Sequence, residues 1–232
     1  MKMTPGDQDR IARAVAKAEA NTAGEIYCVL APKASDYRET PLAWAAGLAL
    51  LLPAGALLAG FEPSLLTRLF GGWTVSHAAT ADQTVLSALT IYVSLQIAIF
   101  VLTALVVSIG PVRRWLTPSG LRAERVRRAA LDQFLSHGLH LTQDRTGVMI
   151  FAALAERRAE VIADEGIYKA APKAVWDEVA ALLVAGLEEG AVTDGFVAAI
   201  TRSGEILAQY VPPRTDNPNE LSDRLVMLGG EG

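Results

Sequence analysis

Three histidines and a single cysteine are the residues of this chain best suited by type to nucleophilic, acid-base or metal chemistry, and their spacing keeps them apart. His77 lies in a segment between two uncharged runs, far from the other two. His137 and His140 stand three apart, a spacing that lets two imidazoles share a helix face or a metal ion. The intervening Gly138 is a helix-stop signal and points instead to capping or solvent exposure. Cys28 excludes an internal disulfide and a cluster of thiolates, and within an apolar run it reads as a small buried side chain. Neither a Gly-x-Ser-x-Gly elbow nor a glycine loop followed by lysine occurs. Glu156, Arg157 and Arg158 have the composition of a hairpin turn and exposed strand, open either to partner contact or to solvent. A net charge of −4, without a basic groove interleaved with aromatics, argues against nucleic acid as a partner.

The elements that would position any site fall into two groups. Before the first uncharged run, Ile11, Val15 and Ala18 recur at helical spacing from Pro5 to Asn21, with Thr4 and Asp7 placed as a capping box. Gly24 to Leu30 then reads as a strand. One helix and one strand bury no core, so they need partners elsewhere. After the second run, a charged helix covers Ser119 to about His137. Gly147 to Leu154 and Arg158 to Ala163 read as an antiparallel pair around the Ala155-Glu156-Arg157 turn. Two amphipathic helices follow. Val175, Val179, Leu182, Leu183 and Leu187 line the first, between Pro172 and Gly190. Phe196, Ile200, Leu207 and Tyr210 line the second, capped by Thr193 or Asp194 and ended by Pro212. The strand Gly24 to Leu30 completes the sheet if the chain returns to the side it left. A polar stretch from Pro212 to Gly232 is expected to be a mobile tail, with a short helix over Leu221 to Leu228 as the ordered alternative.

The uncharged runs are Leu42 to Phe61 and Thr84 to Ile109, of about 20 and about 26 residues, enough for each to cross a hydrocarbon core of about 30 Å. They account for a composition that is 51% hydrophobic in a chain of 232 residues with only 6% aromatics. The segment before them carries Asp7, Asp9, Arg10, Arg13, Lys17, Glu19 and Glu25, so a cleaved signal peptide is not expected. Arg113, Arg114, Arg122, Arg125, Arg127 and Arg128 follow the hairpin and Lys33 and Arg38 precede it, whereas Glu62 to Gln83 holds only Arg68. The positive-inside bias therefore puts both termini and the soluble part in the cytoplasm of a multi-pass inner-membrane protein. The arginines also suit anionic lipid headgroups. Trp44 and Trp115 fall at the inner interface. Leu65, Leu66, Leu69, Phe70 and Trp73 share a face that could lie on the outer leaflet. Small residues at four-residue spacing, Ala43 and Gly47, Gly55 and Ala59, Ala56 and Gly60, offer close helix packing with the second span or another copy. Pro53 is expected to kink the first span. Gln96, in the middle of the second, is expected to hydrogen-bond as packing glue.

The order of helix, Gly24-Glu25-Ile26 strand, the run Arg145-Thr-Gly-Val-Met-Ile-Phe-Ala-Ala-Leu-Ala-Glu-Arg-Arg-Ala-Glu-Val-Ile-Ala-Asp-Glu-Gly-Ile167, then Trp176 and Asp194-Gly195, resembles the TPM-domain family. That family was long catalogued as a domain of unknown function and includes thylakoid-lumen proteins linked to photosystem repair. The resemblance covers about residues 5 to 34 and 125 to 211 and implies an α/β fold, an α/β/α sandwich around a small mixed sheet. The expected organisation is an N-terminal part over 1–38, a transmembrane hairpin over 39–112 with an outer loop 62–83, a C-terminal part over 113–211 and the tail 212–232. A hairpin inside the domain departs from relatives that carry a membrane helix at one end, and cytoplasmic placement departs from those that work in lumen or periplasm.

Some relatives are described as acid phosphatases and some as calcium-binding. Carried over by motif, the metal positions would be Asp144, Asp164, Glu165 and Asp194, with calcium or magnesium as the ion, because a hard cation wants several oxygen ligands. Each also fits a plain structural role: Asp194 as a helix cap, Asp164, Glu165 and Asp144 as turn residues. Asp164-Glu165-Gly166 stands where many relatives have Gly-x-Gly-like turns. No catalytic residue is assigned. Two functions are therefore expected: a membrane-anchored interaction or maintenance module whose partners are lipid, other membrane proteins and a second copy of the chain, or a metal-dependent phosphatase.

Overall fold

The computed structural model describes residues 3–60, 81–139, 145–214 and 219–229. The chain divides into two compact units, Met1–Asp36 with Ser119–Gly232, and Tyr37–Pro118.

In the first unit, α1 (Pro5–Glu19) begins with the expected capping box. The Thr4 side chain accepts the Asp7 amide while Asp7 accepts the Thr4 amide, satisfying two donors that a helix start leaves orphaned. β1 (Glu25–Ala31) follows. After the inserted second unit come α5 (Ser119–Ser136), β2 (Gly147–Ala153), β3 (Arg158–Ala163), the short α6 (Glu165–Ala170), α7 (Lys173–Glu189), α8 (Val192–Tyr210) and β4 (Val226–Met227). The sheet order is β3-β2-β1-β4, with β2 and β3 antiparallel as expected and β1 parallel to both β2 and β4.

Alternation along the central strands divides the core in two. Ile26, Cys28, Leu30, Val148, Ile150 and Ala152 face α1, α7 and α8. Tyr27, Val29, Ala31, Met149, Phe151 and Ala153 face α5 through Val126, Ala130 and Phe134. Both faces of β1 and β2 are thus covered, the environment in which strands read as continuous apolar runs. Each fully buried Ile, Phe or Leu contributes about 1.5–3 kcal/mol of transfer free energy. Cys28 is buried, as its sequence context implied. The α/β/α sandwich around a mixed sheet is the observed architecture.

Several local expectations change. Leu182 is 40% exposed and leaves the buried face of α7 to Val179, Leu183 and Leu187. Gly190 ends α7 at φ 75°, a conformation glycine adopts without penalty. Helix α8 starts at Val192 without a side-chain cap, so neither Thr193 nor Asp194 is its N-cap. The helix considered over Leu221 to Leu228 is replaced by β4, whose pairing with Val29 and Leu30 outcompetes a local helix. Leu225 is buried beside it in the core.

The second unit contains α2 (Glu39–Leu58), α3 (Ala81–Ser108) and the short α4 (Gly110–Leu116). The two long helices pack on one another and are long and apolar enough to span a membrane. Both start about three residues earlier than the uncharged runs. Pro41 fits the first turn of α2, and Pro111, which has no amide to continue the α3 ladder, sits in the first turn of α4 after Ile109, where the chain is extended. The buried stripe of α2 is Ala45, Ala49 and Pro53, not the small-residue pairs expected from the sequence. A Cβ at Gly47 or Gly55 would meet nothing within 4 Å. The Gln96 amide reaches the Tyr92 hydroxyl of its own helix at 3.4 Å, and among the described residues it makes no bond to α2. The Trp44 indole donates to the Leu116 carbonyl at 3.2 Å, and the Thr40 and Thr117 hydroxyls meet at 3.3 Å, tying the two ends of the unit. The loop 62–83, including His77 and the Leu65 to Trp73 face, lies outside the described residues up to residue 80.

Candidate functional site

The four carboxylates expected as metal ligands are placed by three different devices. Asp164 follows β3 and caps α6, its Oδ1 accepting the Glu165 amide at 2.6 Å. Its Oδ2 is buried and has no hydrogen bond among the described residues. Glu165 is exposed and clamped between two cations. Its Oε1 takes Lys169 Nζ at 2.6 Å and its Oε2 takes Arg145 at 2.8 Å. Lys169 first, then Arg145, hold its carboxyl below the usual range. Asp194 lies in the first turn of α8 and pairs with Arg10 of α1 at 2.6 Å. Asp144 lies outside the described residues.

A hard cation needs several convergent oxygens, and here Glu165 and Asp194 already serve arginine and lysine. Among the described residues no group of three His, Cys, Asp or Glu side chains could hold a metal ion. Among the described residues Asp164, Glu165 and Asp194 thus form no metal-binding group, and with Asp144 outside those residues no chemistry is derived through an ion.

Acidic side chains that the sequence reading passed over are more perturbed. Glu19 is 9% exposed at the end of α1, and burial, reinforced by the charges of Glu25 and Asp223, raises its carboxyl to about 8. Its Oε1 accepts the Ile26 amide at 2.7 Å. Glu25 is also raised, chiefly by burial, and its Oε2 accepts the Leu221 amide at 3.3 Å. The signal was present in the spacing: Ile11, Val15 and Glu19 fall four residues apart on one buried stripe. Their hydrogen bonds attach β1 and the C-terminal segment, which is a structural role.

Other sequence-level candidates also resolve into structure. Glu156 is buried, not exposed, because its Oε2 accepts the Ala34 amide at 3.1 Å across the turn. His137 ends α5 beside Gly138, at φ 67°, and its ring lies 5.2 Å from that of Tyr27. His140 lies outside the described residues. A groove of about 550 Å3 between α1 and α8 has a floor of Ala14, Ala18 and Gly204 and a rim of Arg13, Lys17 and Glu205. Its one carboxylate, Glu205, pairs with Arg202 at 3.0 Å, so the groove brings no acid-base pair together.

Comparison with known proteins bears on the fold. The TPM domain model matches residues 114–206. The NMR structure of BA42 protein from the psychrophilic bacterium Bizionia argentinensis is similar, with a TM-score of 0.54 at 17% identity, covering 98% of this chain and 96% of that one. No curated relative matches the chain.

Proposed function

From the premise that this chain carries a TPM domain over residues 114–206, we propose that it is a membrane-anchored interaction or maintenance module. The TPM domain works on the cytoplasmic face of the cell membrane for other membrane proteins, without a catalytic step of its own. The observation that carries the reading is the insertion of α2 and α3 between β1 and α5. Their surfaces expose Leu51 (72%), Leu58 (91%), Leu102 (65%) and Leu105 (65%), a burden that lipid removes. The arginines after α3, against the single Arg68 of the connecting loop, support the orientation. The engagement of Glu165 and Asp194 in ion pairs supports a binding rather than a hydrolytic role.

Two measurements test it. In membranes the full chain should resist alkaline carbonate and dissolve in detergent. Ser76→Cys, in a Cys28→Ala background, should react with an impermeant thiol reagent on intact cells; reaction only after lysis overturns the orientation. A phosphatase is the second reading, and the unpartnered Asp164 Oδ2 is what favours it. Purified protein with calcium or magnesium and a phosphate ester should give no turnover. Turnover that disappears in Asp164→Asn and Asp194→Asn would replace the module by the phosphatase.

A further inference from the structure

The two edges of the sheet are treated differently. On one side the edge is the two-residue β4: the Leu228 amide donates to the Leu30 carbonyl at 3.0 Å and Glu19 takes the Ile26 amide, so the long strand β1 is covered and only a short edge remains there. Beside β2, strand β3 ends the sheet. The Asp164 amide on the Gly147 carbonyl fixes the antiparallel phase: Arg158, Glu160 and Ile162 turn their backbone groups toward β2, and Ala159, Val161 and Ala163 turn theirs outward. No hydrogen bond reaches those outward groups among the described residues. Such an edge is a template for another strand. It floors a groove of about 390 Å3 between α5 and α7, lined also by the buried Trp176, and two apolar side chains beside it are exposed, Leu131 by 39% and Tyr168 by 64%.

Charge selects the occupant. When a second β3 lies antiparallel, outward residues must face outward residues, so allowed registers differ by two positions. Centred on Val161, the pairing gives Ala159, Val161 and Ala163 partners in both copies. It sets Arg158 opposite Asp164 of the second copy, twice, and Glu160 opposite Ile162. One step either way sets Glu160 against the other Glu160 or against Asp164, and like charges directly opposed destabilise a sheet. Arg158 forms no salt bridge among the described residues, its charge acting on the neighbouring Glu160, and Asp164 is buried with Oδ2 lacking a hydrogen bond, so the cross-pair requires its carboxyl to turn toward the edge. We propose that two copies of this chain pair through β3, antiparallel and centred on Val161, to form one continuous sheet across a two-fold axis.

The test uses the full chain in nanodiscs. Val161→Cys in the Cys28→Ala background places two thiols on a hydrogen-bonded pair with Cα atoms about 5.5 Å apart, within disulfide reach. Oxidation should yield covalent dimers, while Glu188→Cys on the exposed side of α7 should not. Val161→Pro removes an outward amide without touching the ladder to β2, as proline is tolerated on an edge. Arg158→Glu places a carboxylate against Asp164. Each should lower the dimer fraction at least tenfold with an unchanged circular dichroism spectrum. A Val161→Cys protein that stays monomeric under oxidation overturns the proposal. So do dimers that persist in both Val161→Pro and Arg158→Glu, which would put the contact elsewhere, and an edge that pairs only with a foreign peptide.

Discussion

Glu19 accepts the backbone amide of Ile26 at 2.7 Å, so a carboxyl group from the end of a helix closes the outer side of the sheet's central parallel strand. The arrangement carries a pH dependence. Burial first, then the charges of Glu25 and Asp223, raise the carboxyl to about 8 against the lowering pull of that hydrogen bond. A value above that of the unfolded chain means that the folded chain binds the additional proton. The stability this group contributes is therefore complete below the unfolded value near 4.5 and is lost as pH rises through about 8. The unfolding midpoint should fall between about pH 5 and pH 8.5. Glu19→Gln, which keeps an acceptor for Ile26, should recover on the order of 2 kcal/mol at the alkaline end. Thermal melts across pH check this, and an equal slope in the variant would refute it.

Helices α7 and α8 meet where neither has a side chain. A Cβ on Gly186 would stand 2.5 Å from Gly195 Cα and 2.9 Å from its nitrogen, both backbone atoms that do not swing aside. Gly186→Ala should therefore cost about 2–4 kcal/mol by forcing the helices apart. Gly120→Ala, with open space around it, should cost nothing comparable. Denaturant titration of the two variants measures the difference.

The C-terminal segment is predicted to shield the only cysteine. Cys28 is 1% exposed and burial pushes its thiol up, both of which suppress labelling. Leu225 packs in the same core, and β4 covers the edge of β1. Ending the chain at Asn217 should speed Cys28 alkylation at least tenfold. An unchanged rate would mean that β4 gives the thiol no cover.

At the β2-β3 turn, two adjacent residues should respond in opposite ways. Glu156→Ala leaves the Ala34 amide without its acceptor and should cost about 1–2 kcal/mol. Arg157 sits at φ 49°, a left-handed conformation that glycine adopts more readily, so Arg157→Gly should be neutral or stabilising by about 0.5 kcal/mol. Paired unfolding curves decide the point.

The elements were legible where periodicity and punctuation agreed. Thr4 with Asp7, Gly190 after an apolar stripe, and the β2-β3 turn each marked a boundary that the fold keeps. β4 was not legible, because two residues have no period and their pairing depends on Val29 and Leu30, far away in the chain. The candidate site fared differently. Loop carboxylates such as Glu165 and Asp194 are easy to find in a sequence, but the cations that occupy them, Arg145, Lys169 and Arg10, come from other elements or other turns. Glu156 and Glu19 were misplaced or passed over for a related reason: a charged letter suggests solvent until the backbone donor that draws it inward is known.

The insertion between β1 and α5 also sets a schedule for synthesis. β1 leaves the ribosome early, yet its register partner Gly147 follows Glu25 by roughly 120 residues. At about 5 to 20 residues per second, that is a wait on the order of ten seconds. During this interval two apolar helices emerge and a strand with every side chain destined for burial has no neighbour. The nascent chain must therefore settle its hydrophobic hairpin before its soluble half has a sheet to fold around.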